Sequence, residues 1–158
     1  MSVTALQAAK HACEASGWKL TNLQLQKILY IAQMVYAGKN EGKRLISGGD
    51  FEAWDYGPVL PSLYHRVSAF GSSPIKNVFH GVEEIDDTEV ADFIAKAAKE
   101  LSSVQPFRLV EYVHDKHSAW HKHYHPGVRG ITIPHESVIE ENKSRAKAQK
   151  AKTANAKA

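Results

Sequence analysis

Five histidines fall close together, at His114, His117, His121, His123 and His125. On one helix His117 and His121 share a face at i, i+4, a spacing that can bind zinc. The hydrolytic zinc motif needs glutamate directly after the first histidine, and here Ser118, Ala119 and Trp120 intervene. No general base is therefore supplied. Ser118 is also placed to cap a new helix, which takes His117 out of register with His121. A metal-dependent enzyme using the His114–His125 cluster is one alternative reading, and a hydrogen-bonded or solvated cluster is the one the pattern favours. No metal ligand set or cofactor is assigned.

Nucleophilic chemistry finds less support. Cys13 stands in no catalytic motif, and no serine occupies a Gly-x-Ser-x-Gly turn. Gly48-Gly49 lacks the spaced glycines and following Lys-Ser/Thr of a phosphate loop. The acidic run Glu83-Glu84 and Asp86-Asp87 precedes a helix, where the dipole favours negative charge. No catalytic residues are assigned, and the chain is expected not to be an enzyme.

The remaining concentration of special residues is Phe51-Glu52-Ala53-Trp54-Asp55-Tyr56-Gly57-Pro58-Val59-Leu60-Pro61. Its alternation predicts a short strand, Gly57-Pro58 a turn, and Pro61 the first residue of a helix. Trp54, Tyr56 and Tyr64 are of the types that brace a core, and also of the types enriched at binding hot spots. Bracing is the first expectation. As candidate partner contacts we take Trp54, Tyr56, Tyr64 and Tyr30; as structural positions, Thr21, Gln24, Gly57, Pro58 and Pro61.

The elements that must hold this corner are mostly helical. Val3, Leu6, Ala9 and Cys13 predict a helix over 3–16 with Gly17 as its stop. Thr21 and Gln24 form a capping-box pattern. The helix it opens carries Leu25, Ile28, Leu29, Ala32, Val35 and Tyr36 as one stripe, widened by Tyr30 and Ile31, with Gly38 at its end. Residues 44–46 read as a strand edge. Leu60, Leu63, Tyr64, Val67 and Phe70 form a third helix closed by Gly71, and 75–85 are weakly strand-like. Asp87 opens a helix through Leu101, Pro106 another through Val113, and Ser118 a further turn. Residues 127–134 run from loop to a short extended segment, and 135–141 form a last amphipathic piece. The fold class is α+β: a predominantly α-helical single domain with a small antiparallel β element.

At 158 residues the chain suits one domain able to bury its own core. The net charge of +3 hides an asymmetry. Residues 143–158 carry six basic residues and no acid, leaving 14 basic against 17 acidic residues in 1–142, a net of −3. The expected division is therefore a domain over 1–142 and a basic, disordered tail over 143–158. A nucleic-acid-binding regulator acting through that tail is a further alternative, although a solvating tail is the plainer reading. No apolar run approaches the roughly 20 residues of a membrane helix. The N-terminus lacks the charge and apolar pattern of a secretory signal, and a single cysteine excludes an intrachain disulfide, so a cytoplasmic location is expected.

Two stretches carry a family resemblance. Leu20-Thr21-Asn22-Leu23-Gln24-Leu25-Gln26-Lys27-Ile28-Leu29-Tyr30-Ile31-Ala32-Gln33 resembles the L-x-K-L-Y-x-A-Q helix of the Panacea antitoxin domain family, whose members are SocA-like and phage-associated GepA-like. Phe51 to Val59 with Leu63-Tyr64 is similar to that family's A-W-x-x-G-P-V…L-Y signature, in the same order and separation. Trp120 after a His-Ser pair is a less specific match, and the resemblance spans roughly 3–142. It implies an antitoxin of a toxin–antitoxin system whose partner is a cognate protein toxin. For a SocA-like branch it also implies a proteolytic adaptor that delivers the toxin to a AAA+ protease, ClpXP. Neither a nucleic-acid nor a membrane partner is implied.

Overall fold

Thr4 and Thr21 begin the two helices that frame the molecule, each through a reciprocal capping box. The Thr4 hydroxyl accepts from Gln7 N while Thr4 N donates to Gln7 Oε1, and Thr21 and Gln24 repeat the exchange. Each box satisfies amides that the first helical turn leaves free, an effect of about 1 kcal/mol. The computed structural model describes residues 2–157, the last four of these by backbone alone. Helix α1 spans Ala5–Ala15 and α2 Asn22–Lys39. Between them Gly17 adopts φ +74°, the left-handed stop that glycine permits.

Val3–Thr4 is not helical. It is strand β1, paired in parallel with β2, Ile46–Ser47. Val3 N donates to Leu45 O at 3.0 Å. Gly38 does not end α2 either, since the helix runs to Lys39. Its missing side chain serves packing: a Cβ there would lie 2.0 Å from Asn142 Nδ2.

The aromatic corner is a hairpin of β3, Glu52–Trp54, and β4, Gly57–Val59, with Trp54 opposite Gly57. The turn is therefore Asp55-Tyr56, and Gly57-Pro58 belongs to the returning strand, contrary to the sequence expectation. The 131–133 segment extends the hairpin on its other edge, with Ala53 N donating to Ile131 O and Ile133 N to Phe51 O. Pro61 is the first residue of α3, Pro61–Val67, which continues as a 3-10 turn over Ser68–Phe70 before Gly71.

Residues 75–85 hold no strand. They cross the surface irregularly, seating Ile75 and Phe79 in the core. Asp87 then caps α4, Thr88–Leu101, accepting from Glu89 N and Val90 N. Helices α5, Pro106–Val113, and α6, Ala119–His123, follow, the latter capped by Ser118. Helix α7 spans His135–Lys157 and so crosses residue 142 without interruption. Beyond Ala148 the described side chains are exposed.

The core is continuous and has α2 as its axis. That helix meets α1, α3, α4, α5, α7 and β4, and every residue from Leu25 to Met34 is buried. A helix covered on all sides cannot show a single apolar stripe, and its polar residues must find partners inside. They do so on backbone amides of the segments packed around it. Gln33 Oε1 accepts from Ile46 N at 2.7 Å, and Gln26 Oε1 from Leu60 N at 2.8 Å. On α1 the small residues Ala8, Ala9, Ala12 and Cys13 are fully buried, which lets α4 approach closely. Burial pushes the Cys13 thiol up to about 12. The architecture is α-dominated α+β with a small antiparallel sheet. No described helix is long and apolar enough to cross a membrane.

Candidate functional site

The two motif stretches, separated by a loop and a strand in sequence, form opposite walls of one groove. One wall is the first turns of α2, with Leu23, Gln26 and Lys27; the other is the hairpin tip and α3, with Trp54, Tyr56 and Tyr64. Val128 and Arg129, from the loop after α6, complete it, and the cavity measures about 520 Å³. Leu23 is 36% exposed, Val128 50% and Tyr56 70%. Isolated apolar residues on a surface are ordinary, but three converging on one concavity with half-buried aromatics between them form a binding-type surface.

Each aromatic is held differently. The Trp54 and Tyr64 rings lie 4.9 Å apart, and Trp54 Nε1 donates to Glu52 Oε1 at 3.0 Å. Arg129 stands over the Trp54 ring at 5.6 Å, within the range of a cation–π contact. Tyr56, at the turn, is open to solvent and braces nothing. The brace is elsewhere. Trp120 Nε1 donates to Trp54 O at 2.6 Å, and the Trp120 ring stacks between His114, at 3.7 Å, and Tyr124, at 4.5 Å. The Tyr124 hydroxyl donates to Asp55, so both sides of the turn are tied down.

Below the hairpin lies Lys27, 1% exposed. Its ammonium donates to Pro58 O at 3.2 Å, and among the described residues no carboxylate forms an ion pair with it. Burial disfavours the charged form and lowers its pKa to about 7. Gly57 is required by this arrangement: at φ +117°, a Cβ there would meet Lys27 Cε at 2.8 Å and Val113 Cγ2 at 2.9 Å. His114 is likewise shifted down, first by burial and then by Lys27.

Tyr30 is placed apart from the other candidate contacts. It is fully buried, packed edge-on against Phe51 at 5.1 Å, and its hydroxyl donates to Glu141 Oε1 at 2.6 Å. Burial and the neighbouring Glu141 raise its pKa. Glu141 Oε1 also accepts from Ala119 N at 2.8 Å, and Glu141 Oε2 from Arg145 Nε at 2.8 Å. Arg145 reaches on to Tyr112 O and lies over the Tyr112 ring. Thr21 and Gln24 cap α2 beside the groove, while Gly57 and Pro58 form β4 beneath its tip.

The histidine cluster does not assemble. His114 is in the aromatic stack, His123 meets Ser137 Oγ at 2.8 Å, and His121 and His125 face solvent. The described residues whose ligand atoms do approach within 4.8 Å of one another are His11, Glu14 and Glu84. There Lys10 already neutralises Glu84, lowering its pKa through a hydrogen bond at 2.5 Å.

Sequence reasoning missed Leu23, Lys27, Val128 and Arg129 as groove residues, and the buried Glu141 with its half-buried ion partner Arg145. The available signal was Gln26-Lys27, two polar residues inside a helix with apolar residues on every side.

A family model described as the SocA-like antitoxin Panacea domain matches residues 25–121. That range includes Lys27, the hairpin, α3 and Trp120; Leu23 and the 127–129 loop lie outside it. Among curated proteins, Antitoxin SocA of Caulobacter vibrioides (strain NA1000 / CB15N) is 30% identical over 111 residues, covering 64% of this chain and 58% of the relative. The match thus spans less than two thirds of that relative's length. No solved structure matches the chain at a significant level.

Proposed function

The chain belongs to the SocA-like Panacea antitoxin domain family, and on that premise we propose that it is an antitoxin that binds and neutralises a cognate protein toxin through the Leu23–Tyr56–Val128 groove. The observation that carries this reading is the convergence of two separate family stretches on one concavity whose tip is a 70% exposed tyrosine. A ring at that position contributes nothing to the core. Held by a rigid turn, it suits an interface anchor, because little conformational freedom is lost when a partner covers it. The remaining walls supply the mixture of aromatic, aliphatic and arginine side chains found at hot spots.

Co-expression with the product of the adjacent reading frame tests the proposal. We expect that product to arrest growth alone and to be tolerated with this chain. Tyr56→Ala should abolish rescue while leaving the fold intact, since a hot-spot ring is worth at least about 2 kcal/mol, or roughly thirtyfold in affinity. A harmless product, or full rescue by Tyr56→Ala, refutes the reading. Binding at the groove is the step common to sequestration and to delivery to a AAA+ protease such as ClpXP. Loss of the partner only with ATP and protease present separates delivery from sequestration.

A further inference from the structure

Resting on the reading of the groove as the partner site, we infer that it takes a protein segment whose aspartate or glutamate side chain, flanked by bulky apolar residues, seats against Lys27, with Arg129 as the outer cation. Three observations lead there. Lys27 is 1% exposed, yet it lines the groove and has Pro58 O as its hydrogen-bond acceptor. An ammonium has three N–H donors, and one carbonyl leaves it short of acceptors. Second, the acid that lines the groove, Asp55, already accepts from the Tyr124 hydroxyl. Third, Arg129 adds another cation at the opposite wall, over Trp54. The concavity thus offers an amine, a guanidinium and an apolar rim, and its one carboxylate is tied to the Tyr124 hydroxyl. A carboxylate accepting from a desolvated ammonium forms a charge-assisted hydrogen bond, stronger than a neutral one. The apolar neighbours of that carboxylate would cover Leu23, Tyr56 and Val128.

The occupant must also move a proton. Burial holds the free Lys27 ammonium near neutrality, at about 7. An anion seated beside it favours the charged form, so binding takes up a proton and weakens as pH rises above about 7. The groups facing Lys27 are few: His114 at the end of α5, with Asp55 and Arg129 across the groove. Gly57 and Pro58 of β4 carry no charge. Burial, and then Lys27 itself, hold His114 below its usual value.

Selection of a displayed random-peptide library on the full chain is the test. Peptides that enrich for aspartate or glutamate beside large apolar residues are expected, with loss of their binding in Tyr56→Ala confirming the groove. Lys27→Met, which keeps an unbranched stem and removes the ammonium, should weaken a selected peptide by about tenfold and abolish its pH dependence. Arg129→Ala, on an exposed loop, should weaken it by about threefold. Calorimetry in buffers of different ionisation enthalpy should register proton uptake in the wild type and none in Lys27→Met. No selected peptide, no acidic enrichment, or unchanged pH-dependent binding by Lys27→Met overturns the inference. Toxin rescue is scored separately. Rescue that needs Tyr56 but not Lys27 sinks the carboxylate anchor and leaves the antitoxin reading standing. Lysine-dependent peptide binding with intact rescue by Tyr56→Ala does the reverse.

Discussion

Glu141 and Lys27 are both ionisable, both 1% exposed, and both in contact with the central helix or its partners, but their surroundings are opposite. Glu141 receives Tyr30, Ala119 N and Arg145, joining α2, α6 and α7 through one carboxylate, and Arg145 reaches on to α5. Lys27 has one carbonyl and no described counterion. Removing a charge from water is costly, and a structural site repays that cost with paired, hydrogen-bonded partners. The Glu141 site is complete within the chain. The Lys27 site is relieved either by loss of its proton or by an anion supplied from outside, and it lies on the groove where one can be supplied. Buried charge alone does not separate scaffold from function; satisfaction of the charge does.

The contrast can be broken most sharply at Glu141. Glu141→Ala leaves the buried Tyr30 hydroxyl and Ala119 N without their acceptor and Arg145 without its ion pair, and should cost about 3–5 kcal/mol in urea unfolding. A loss below about 1 kcal/mol would mean the network is dispensable and the contrast false. Gly57→Ala comes next. Its Cβ must displace Lys27 or Val113 from a left-handed backbone position, and about 2–3 kcal/mol of destabilisation is expected.

The third effect is a pH dependence. Lys27 has a folded pKa of about 7 against a usual 10.5. Between those values the unfolded chain binds the proton and the folded chain does not, so stability rises with pH across that window and is lost as pH falls through it. The wild type should be about 2 kcal/mol more stable at pH 9 than at pH 7, relative to Lys27→Met measured in parallel. Parallel pH profiles for the two proteins would show that Lys27 is not the titrating group. The smallest effect belongs to the rim. Tyr56→Ala should change unfolding free energy by less than about 0.5 kcal/mol, and a larger loss would make that ring part of the scaffold after all.

What could be read from the sequence was what is decided locally. Thr21, Asp87, Ser118 and Pro61 mark helix starts because the bonds they make, or the one Pro61 cannot make, lie within one turn of the chain. The family stretches were legible as well, and so was the dominance of helix. The turn was misplaced because Gly57 and Pro58 normally signal reversal, whereas here Gly57 is glycine for the sake of Lys27 and Val113, residues distant in sequence. Tyr30 reads both as part of the apolar stripe and as a candidate partner contact, and what commits it to the core is Phe51, brought in by tertiary packing. Val3–Thr4 and Ile46–Ser47 pair across the whole of α1 and α2, too far for any local pattern to announce. Residue 142, chosen where large hydrophobes cease, divides a continuous helix whose Arg145 still reaches the body of the protein.

The single cysteine of the chain has a use unrelated to partners. Cys13 sits where α1 meets its neighbours, fully buried, with its thiol held protonated far above neutral pH. Thiolate, not thiol, reacts with alkylating reagents, so in the closed molecule this sulfur is inert on two counts. Any alkylation therefore times the excursions in which α1 lifts away. The wild-type chain carries its own clock for that opening, read by mass spectrometry without an introduced label.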